Sequence, residues 1–104
     1  MKRVAFKMKL NEGCVAEYKK RHDEIWPELV EELKHSGISD YSIFFDAETH
    51  ILFAIQKQAD GHESDDNSVS AIVQKWWDMM ADIMDTNPDA SPVTKPLIEV
   101  FHID

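Results

Sequence analysis

The stretch that decides the fold runs from residue 38 to residue 58 and reads ISDYSIFFDAETHILFAIQKQ. Its two halves, Ile38 to Asp46 and Ile51 to Gln58, are rich in β-branched and aromatic side chains, which favour strands. The link between them, Ala47-Glu48-Thr49-His50, is short and polar, as is typical of a turn. We therefore predict an antiparallel β-hairpin across this segment.

The chain before the hairpin predicts a strand and then a helix. Apolar residues alternate with small or charged ones between Val4 and Leu10, a period of two that indicates a half-buried strand. After Asn11, which we expect to cap a helix, apolar or aromatic residues recur at helical spacing at Val15, Tyr18, His22 and Ile25. Pro27 should break or restart this helix, and Ser36-Gly37 should end it.

The chain after the hairpin predicts a second helix and a last strand. Residues 59–67 contain glycine and several acidic residues and predict a loop. Asn67 or Ser68 should cap a helix that runs to about Met84, and the segment from Leu97 to Ile103 predicts the final strand. The order β-α-β-β-α-β predicts an α+β, ferredoxin-like fold in one domain spanning residues 1–104, with an antiparallel sheet and helices on one face.

Both faces of the predicted sheet carry apolar side chains. Phe44 opposes Tyr41, Ile43 and Phe45 within the second strand, and the third and last strands show the same two-sided pattern. Helices on one face leave the other face uncovered, although a face in water should be polar. We therefore predict a homodimer in which a second copy covers that face.

Composition excludes several classes of protein. The 104 residues carry a net charge of −9 and show no basic stripe, which argues against binding to nucleic acid. No apolar run approaches the roughly 20 residues of a membrane helix. Lys7 and Lys9 interrupt the apolar stretch that a signal peptide would need, and the single Cys14 fits a reducing compartment. We expect a cytoplasmic protein without a membrane partner.

His22 is the leading candidate for chemistry. A histidine can donate or accept a proton near pH 7, as general acid–base catalysis requires. Tyr18 lies one helical turn before it and projects from the same face. The opposing interpretation is that a lone histidine on an apolar helical face is more often structural.

The adjacent indoles Trp76 and Trp77 are the second candidate. Neighbouring residues of a helix point about 100° apart, so one buried stripe does not easily absorb both. An indole offers a flat apolar face and one N–H donor, which suits the C–H faces of a sugar. The alternative is that the indoles belong to a core stripe, which we expect for at least one of them.

The remaining candidates point to structure. The pattern alone assigns Tyr41 to a strand and favours an interface over a pocket, and Trp26 before Pro27 should pack in the core. The other histidines, His35, His50, His62 and His102, are dispersed without zinc-type spacing, so we expect no metal site.

The chain closely resembles the L-rhamnose mutarotase family over its whole length. The segments that carry the resemblance are Glu17-Tyr18, Arg21-His22, Ile25-Trp26-Pro27-Glu28-Leu29, Tyr41, Leu52-Phe53-Ala54, Trp76-Trp77, Asn87-Pro88-Asp89, Ser91-Pro92-Val93 and Glu99-Val100-Phe101. The segment from Gln58 to Asn67 departs from the family pattern, because it is more polar and has no tryptophan.

The resemblance implies an isomerase that interconverts the α and β anomers of L-rhamnose, built as a dimeric α+β barrel and needing no cofactor. It assigns the proton donor to His22 and the sugar-contacting positions to Tyr18, Tyr41, Trp76 and Trp77. The competing functions are a cofactor-free oxygenase, which would need an oxidisable aromatic substrate, and a sugar-binding module without turnover. Exchange between anomers would distinguish the isomerase from both.

Overall fold

Four strands and three helices make up the fold. The computed structural model describes residues 2–59 and 70–104. The elements are β1 (Lys2–Lys9), α1 (Val15–Asp23), α2 (Pro27–His35), β2 (Ile38–Asp46), β3 (Ile51–Gln58), α3 (Ala71–Met80) and β4 (Lys95–Leu97). The strand order is β2-β3-β1-β4, and all neighbours are antiparallel. This is the split βαβ arrangement, so the predicted α+β, ferredoxin-like fold class is confirmed.

The register of the sheet separates a core face from an open face. Leu52 pairs with Met8 on one side and with Phe45 on the other, which places all three side chains on the same face. Met8 and Leu52 are buried there, together with Leu29 of α2 and Met80 of α3. The helices therefore cover this face and close the core.

The first helical segment is two helices, as the predicted interruption at Pro27 implies. Pro27 occupies the first turn of α2, where its missing N–H costs nothing. The prediction that Asn11 caps α1 is wrong, because Cys14 holds that position. The side-chain amide of Asn11 instead donates a hydrogen bond to the backbone carbonyl oxygen of Asp82 at 3.2 Å. This bond links the segment before α1 to the end of α3.

The bounds of α3 differ from the prediction at both ends. Ser70 caps the helix and accepts a hydrogen bond from the backbone N–H of Val73, while the predicted caps Asn67 and Ser68 lie outside the described residues. The helix ends at Met80 rather than Met84. Met84 forms a β-bridge with Leu10, and this pairing takes the backbone groups that a longer helix would need.

The last strand is much shorter than predicted. It ends at Leu97, whereas the sequence favoured a strand to Ile103. Beyond Leu97 the apolar side chains stand in solvent: Ile98, Val100, Phe101 and Ile103 are 87%, 92%, 77% and 77% exposed. Among the described residues of a single chain, no element packs against both faces of this segment. Apolar alternation was therefore not sufficient to make the segment after Leu97 a strand.

In the described residues, no helix combines the length and the apolar character needed to cross a membrane.

Candidate active site

The five residues assigned by the resemblance line one cavity of 770 Å³. α1 contributes Tyr18 and His22, β2 contributes Tyr41, and α3 contributes Trp76 and Trp77. The volume lies within the roughly 300–1,000 Å³ typical of small-molecule sites. The sheet supplies an apolar floor with Met8 and Leu52, which the sequence pattern placed in strands but did not assign to a site. Folding thus brings together the five assigned side chains, although Tyr18 and Trp77 lie 59 positions apart.

His22 is held between two aromatic rings. The Tyr18 ring stacks on the imidazole with 4.3 Å between the ring centroids and 28° between the planes. The Trp76 ring meets it edge-on, at 5.2 Å and 90°. Because the two contacts come from different helices, the imidazole orientation is fixed by packing as well as by its own rotamer preference.

A hydrogen bond sets the protonation pattern of His22. The Nδ1 atom lies 3.0 Å from the backbone carbonyl oxygen of Tyr18. A carbonyl oxygen only accepts, so Nδ1 must carry the proton and donate it. In the neutral imidazole, Nε2 is then left with an available lone pair. This tautomer is the one a general base requires.

Burial keeps the imidazole neutral. The low-polarity surroundings lower the pKa of His22 below its ordinary value of 6.5, against smaller opposing effects of the Tyr18 carbonyl and Asp23. At pH 7 most of the population therefore carries no charge on this ring. A neutral base is ready to accept a proton without first losing one.

The two phenols facing the cavity also stay un-ionised. Burial raises the pKa of Tyr41 to about 12. Burial also raises the pKa of Tyr18, and Tyr41 adds to this through its nearby charge when ionised. Within residues 2–59 and 70–104, neither hydroxyl makes a hydrogen bond to another side chain or carbonyl. Both O–H groups are available to the oxygens of a ligand. Tyr41, which the pattern alone favoured as an interface residue, lines this cavity and is 38% exposed in the single chain.

The indole pair divides into a core residue and a lining residue. Trp76 is 9% exposed and belongs to the core, where it also meets Trp26 edge-on at 5.3 Å. Trp77 is only half-buried and lies at the cavity wall. The structure therefore agrees with the expectation that at least one indole is core and identifies that indole as Trp76. Trp26 packs, as the sequence suggested.

An ion-pair network beside the cavity was missed by the sequence reasoning. Arg21 donates to both carboxylate oxygens of Asp82 at 2.8 and 3.2 Å and to the backbone carbonyl of Met79 at 2.7 Å. Its Nε donates to Glu17 at 2.9 Å. Arg21 thus ties α1 to the C-terminal end of α3. The only sequence signal was the four-residue spacing of Glu17 and Arg21, which does not reveal Asp82.

In the part of the chain that the structure describes, no three His, Cys, Asp or Glu residues are grouped so as to hold a metal ion. His62, one of the dispersed histidines, lies outside the described residues, as does most of the segment that departs from the family pattern.

Comparison with known proteins identifies the family. Residues 3–103 match the sequence profile of the L-rhamnose mutarotase family. A protein named L-rhamnose mutarotase from Bacteroides thetaiotaomicron is 61% identical over 104 residues, and one from Phocaeicola vulgatus is 59% identical; both alignments cover the whole of both chains. The crystal structure of an L-rhamnose mutarotase from Formosa agariphila matches with a TM-score of 0.91 and 55% identity, again over the whole of both chains. The family resemblance and the isomerase class that it implied are confirmed, and the chain belongs to the L-rhamnose mutarotase family.

Proposed function

We propose that this protein interconverts the α and β anomers of L-rhamnose, with His22 as its catalytic proton-transfer group. The observation that carries the proposal is the His22 hydrogen bond to the Tyr18 carbonyl, which leaves Nε2 of a neutral imidazole free to act as a base. Mutarotation needs such a base for the anomeric hydroxyl and a proton donor for the ring oxygen. These requirements match one imidazole and two un-ionised phenols around one cavity.

The reaction proceeds by ring opening and reclosure. Nε2 of His22 takes the proton of the O1 hydroxyl while the bond between C1 and O5 breaks, and O5 receives a proton from a hydroxyl donor such as a phenol. The open aldehyde rotates about C1–C2. On closure, the imidazolium returns its proton to O1, and the proton on O5 goes back to its donor. His22 is thus the base for opening and the proton donor for closure, with roughly 10²–10⁴-fold expected from such a group.

The other cavity residues bind the sugar. Tyr18 and Tyr41 donate hydrogen bonds to its oxygens, and Trp77 provides a flat apolar surface for its C–H face. Trp76, although at the cavity wall, acts mainly on His22 through the edge-on contact of their rings. The resemblance assigned both indoles to sugar contact, whereas in this proposal Trp77 makes that contact and Trp76 mainly positions His22.

Anomer exchange tests the proposal directly. Magnetisation transfer between the α and β anomeric protons of L-rhamnose should speed up in proportion to the protein added. Protein unfolded by heat is the control and should leave the exchange at its rate in buffer. A sugar-binding module or an oxygenase would also leave the rate unchanged, and that result would contradict the proposal.

The enzyme works as a homodimer in this proposal, with the open face of the sheet at the interface. Phe44 of β2 is 60% exposed on that face, and Phe53 of β3 lies directly opposite it in the strand pairing. Leu97 pairs with Ala5 at the same face, and it is followed by four exposed apolar residues, Ile98, Val100, Phe101 and Ile103. A stable monomer rarely exposes so much contiguous apolar surface. A second copy covers it in an arrangement related by two-fold symmetry.

Sedimentation tests the homodimer. At micromolar concentration we expect about twice the 12.0 kDa mass of one chain, since an obligate interface buries on the order of 2,000 Å² or more. Phe44→Ser should shift the equilibrium towards the monomer, whereas Lys20→Gln, on exposed α1 surface, should not. A folded wild-type monomer at this concentration would rule out the homodimer.

We also propose that the protein acts in the cytoplasm as one domain over residues 1–104. The lone Cys14 supports this assignment, because a chain with a single cysteine forms no internal disulfide and fits a reducing compartment. Fractionation of the native cells should recover the exchange activity with cytoplasmic enzymes, and recovery in an exported fraction would contradict it.

A further inference from the structure

The strand β2 contains a bulge that includes the pocket residue Tyr41. Ser39 pairs with Lys57 and Ser42 pairs with Ile55, so Asp40 and Tyr41 together oppose one residue of β3. One extra residue on one strand is the definition of a β-bulge, and bulges next to active sites commonly redirect a side chain.

The bulge lets residues on its two sides occupy the same face of the sheet although they are an odd number of positions apart. Ile38 pairs with Gln58, and Ile43 pairs with Ala54, so both lie on the core face. They are five positions apart, an odd separation that puts side chains on opposite faces in a regular strand. The bulge removes this conflict. Tyr41, two positions after Ser39 and two before Ile43, lies within the bulge, shares the face of Ile43 and lines the cavity that also holds Tyr18 and His22.

Asp40 makes the bulge possible by adopting a left-handed backbone conformation. Its φ angle is 48°, a value that most residues with a side chain avoid and that aspartate and asparagine tolerate better than β-branched residues. Strained backbone of this kind concentrates at functional sites. The Asp40 carboxylate also lies 3.6 Å from the ammonium of Lys57, but this pair is exposed and its contribution is expected to be small.

We propose that Asp40 is a positioning residue, whose left-handed bulge sets the Tyr41 phenol in the pocket. The proposal deepens the function given above and rests on it, because Tyr41 is one of the sugar-contacting residues there. Asp40 itself need not touch the sugar. Its effect on the reaction should therefore depend on Tyr41 and on backbone conformation rather than on the charge of its carboxylate.

A double-mutant cycle measures that dependence. Asp40→Asn and Asp40→Gly tolerate the left-handed conformation, whereas Asp40→Val does not. We expect the first two to keep kcat/KM for anomer exchange within about threefold of wild type, and Asp40→Val to lower it by about tenfold. In a Tyr41→Phe background, Asp40→Val should cost less than about threefold, because the group that it misplaces is already gone. Lys57→Gln, which removes only the ion pair, is the matched control and should stay within threefold.

A measurement without substrate keeps the test independent of the proposed function. In a Tyr18→Phe background, Tyr41 is the only tyrosine, since the chain has two. The ultraviolet titration of Tyr41 should show little phenolate by pH 11 in the Tyr18→Phe variant. The same result is expected when Asp40→Asn is added to that variant. With Asp40→Val the phenol should leave the pocket and ionise nearer its ordinary value of 10.0. Circular dichroism verifies folding, and Asp40→Ala replaces Asp40→Val if the latter does not fold.

The outcomes separate the two claims. Absence of anomer exchange in wild type overturns the proposed function, while the tyrosine titration still decides on Asp40. Two results would overturn the positioning role. One is that Asp40→Val lowers kcat/KM equally with and without the Tyr41 hydroxyl. The other is that the tyrosine titrations of the valine and asparagine variants are identical. Coupled losses together with a shifted titration in the valine variant alone support it.

Discussion

The imidazole Nδ1 of His22 donates a hydrogen bond to the backbone carbonyl oxygen of Tyr18, 3.0 Å away on the same helix. The bond joins residues four positions apart, so the helix alone determines which nitrogen carries the proton. The Tyr18 ring stacks on the imidazole that its own carbonyl orients. The protonation state of Nε2, the nitrogen that we propose as the base, is thus set within α1 itself.

The pH dependence of the exchange rate should reflect this buried imidazole. Burial lowers the pKa of His22 below its ordinary value of 6.5, so the neutral base survives to lower pH than in a free histidine. We expect kcat/KM to be level between pH 8 and 6.5. It should then fall as the pH drops through the pKa of His22, because protonation removes the lone pair on Nε2.

Anomer exchange measured from pH 8 to pH 4.5 checks this expectation, with circular dichroism at each pH to exclude unfolding. A midpoint above 6.5 would contradict the account of burial. A rate that rises as the pH falls would mean that the protonated imidazole is the reactive form in ring opening.

Arg21 should matter for catalysis although it makes no ligand contact in this account. Its bonds to Asp82 and to the Met79 carbonyl tie α1 to the end of α3, and thereby set the approach of His22 to Trp76. We expect Arg21→Gln to lower kcat/KM by roughly tenfold, since small displacements of a catalytic group are costly. Lys20→Gln makes the same charge change on the neighbouring residue and should have no such effect.

Arg21→Lys distinguishes geometry from charge. Lysine keeps the positive charge but cannot make the forked bond to the Asp82 carboxylate. We expect it to recover only part of the lost rate. Full activity of Arg21→Gln would show that the helix packing holds His22 in place without the network.

The two indoles should respond differently to the same substitution. Trp76 is 9% exposed in the core, so Trp76→Phe should lower the free energy of unfolding by about 1–3 kcal/mol. Trp77 is half-buried at the cavity wall, so Trp77→Phe should leave stability nearly unchanged and weaken rhamnose binding several-fold. Denaturant unfolding and sugar titration of both variants provide the comparison. Equal effects on both properties would contradict the division of roles.

The hairpin was predictable from sequence because its signals are local. The bounds of β2 and β3 match the prediction residue for residue, since β-branched and aromatic runs surround a polar turn. The break at Pro27 was predictable for the same reason. Features that depend on distant parts of the chain were not: α3 ends early because Met84 pairs with Leu10, and β4 ends at Leu97, after which residues 98–104 form no β-bridge with the described part of the chain.

The candidate site shows the same limit. Helical spacing placed Tyr18 and His22 on one face, but it could not show that a carbonyl fixes the tautomer of the imidazole. The alternation in β2 correctly grouped Tyr41 with Ile43 and Phe45. It did not reveal the bulge at Asp40, because aspartate in a strand gives no distinctive signal of left-handed backbone. The contact between Arg21 and Asp82, 61 positions apart, was likewise beyond sequence patterns.

The central claim is that His22 carries the proton, and the anomer exchange rate of His22→Ala tests it most directly. The variant should fold, sediment like wild type and still bind L-rhamnose, because the phenols and Trp77 remain. Its exchange rate at pH 7 should fall by about 10²-fold or more, equivalent to a loss of ~2.7 kcal/mol of barrier lowering. The acid limb of the wild-type profile should also disappear. If the rates of wild type and His22→Ala coincide across pH 5 to 8, His22 is a structural residue and the account is wrong.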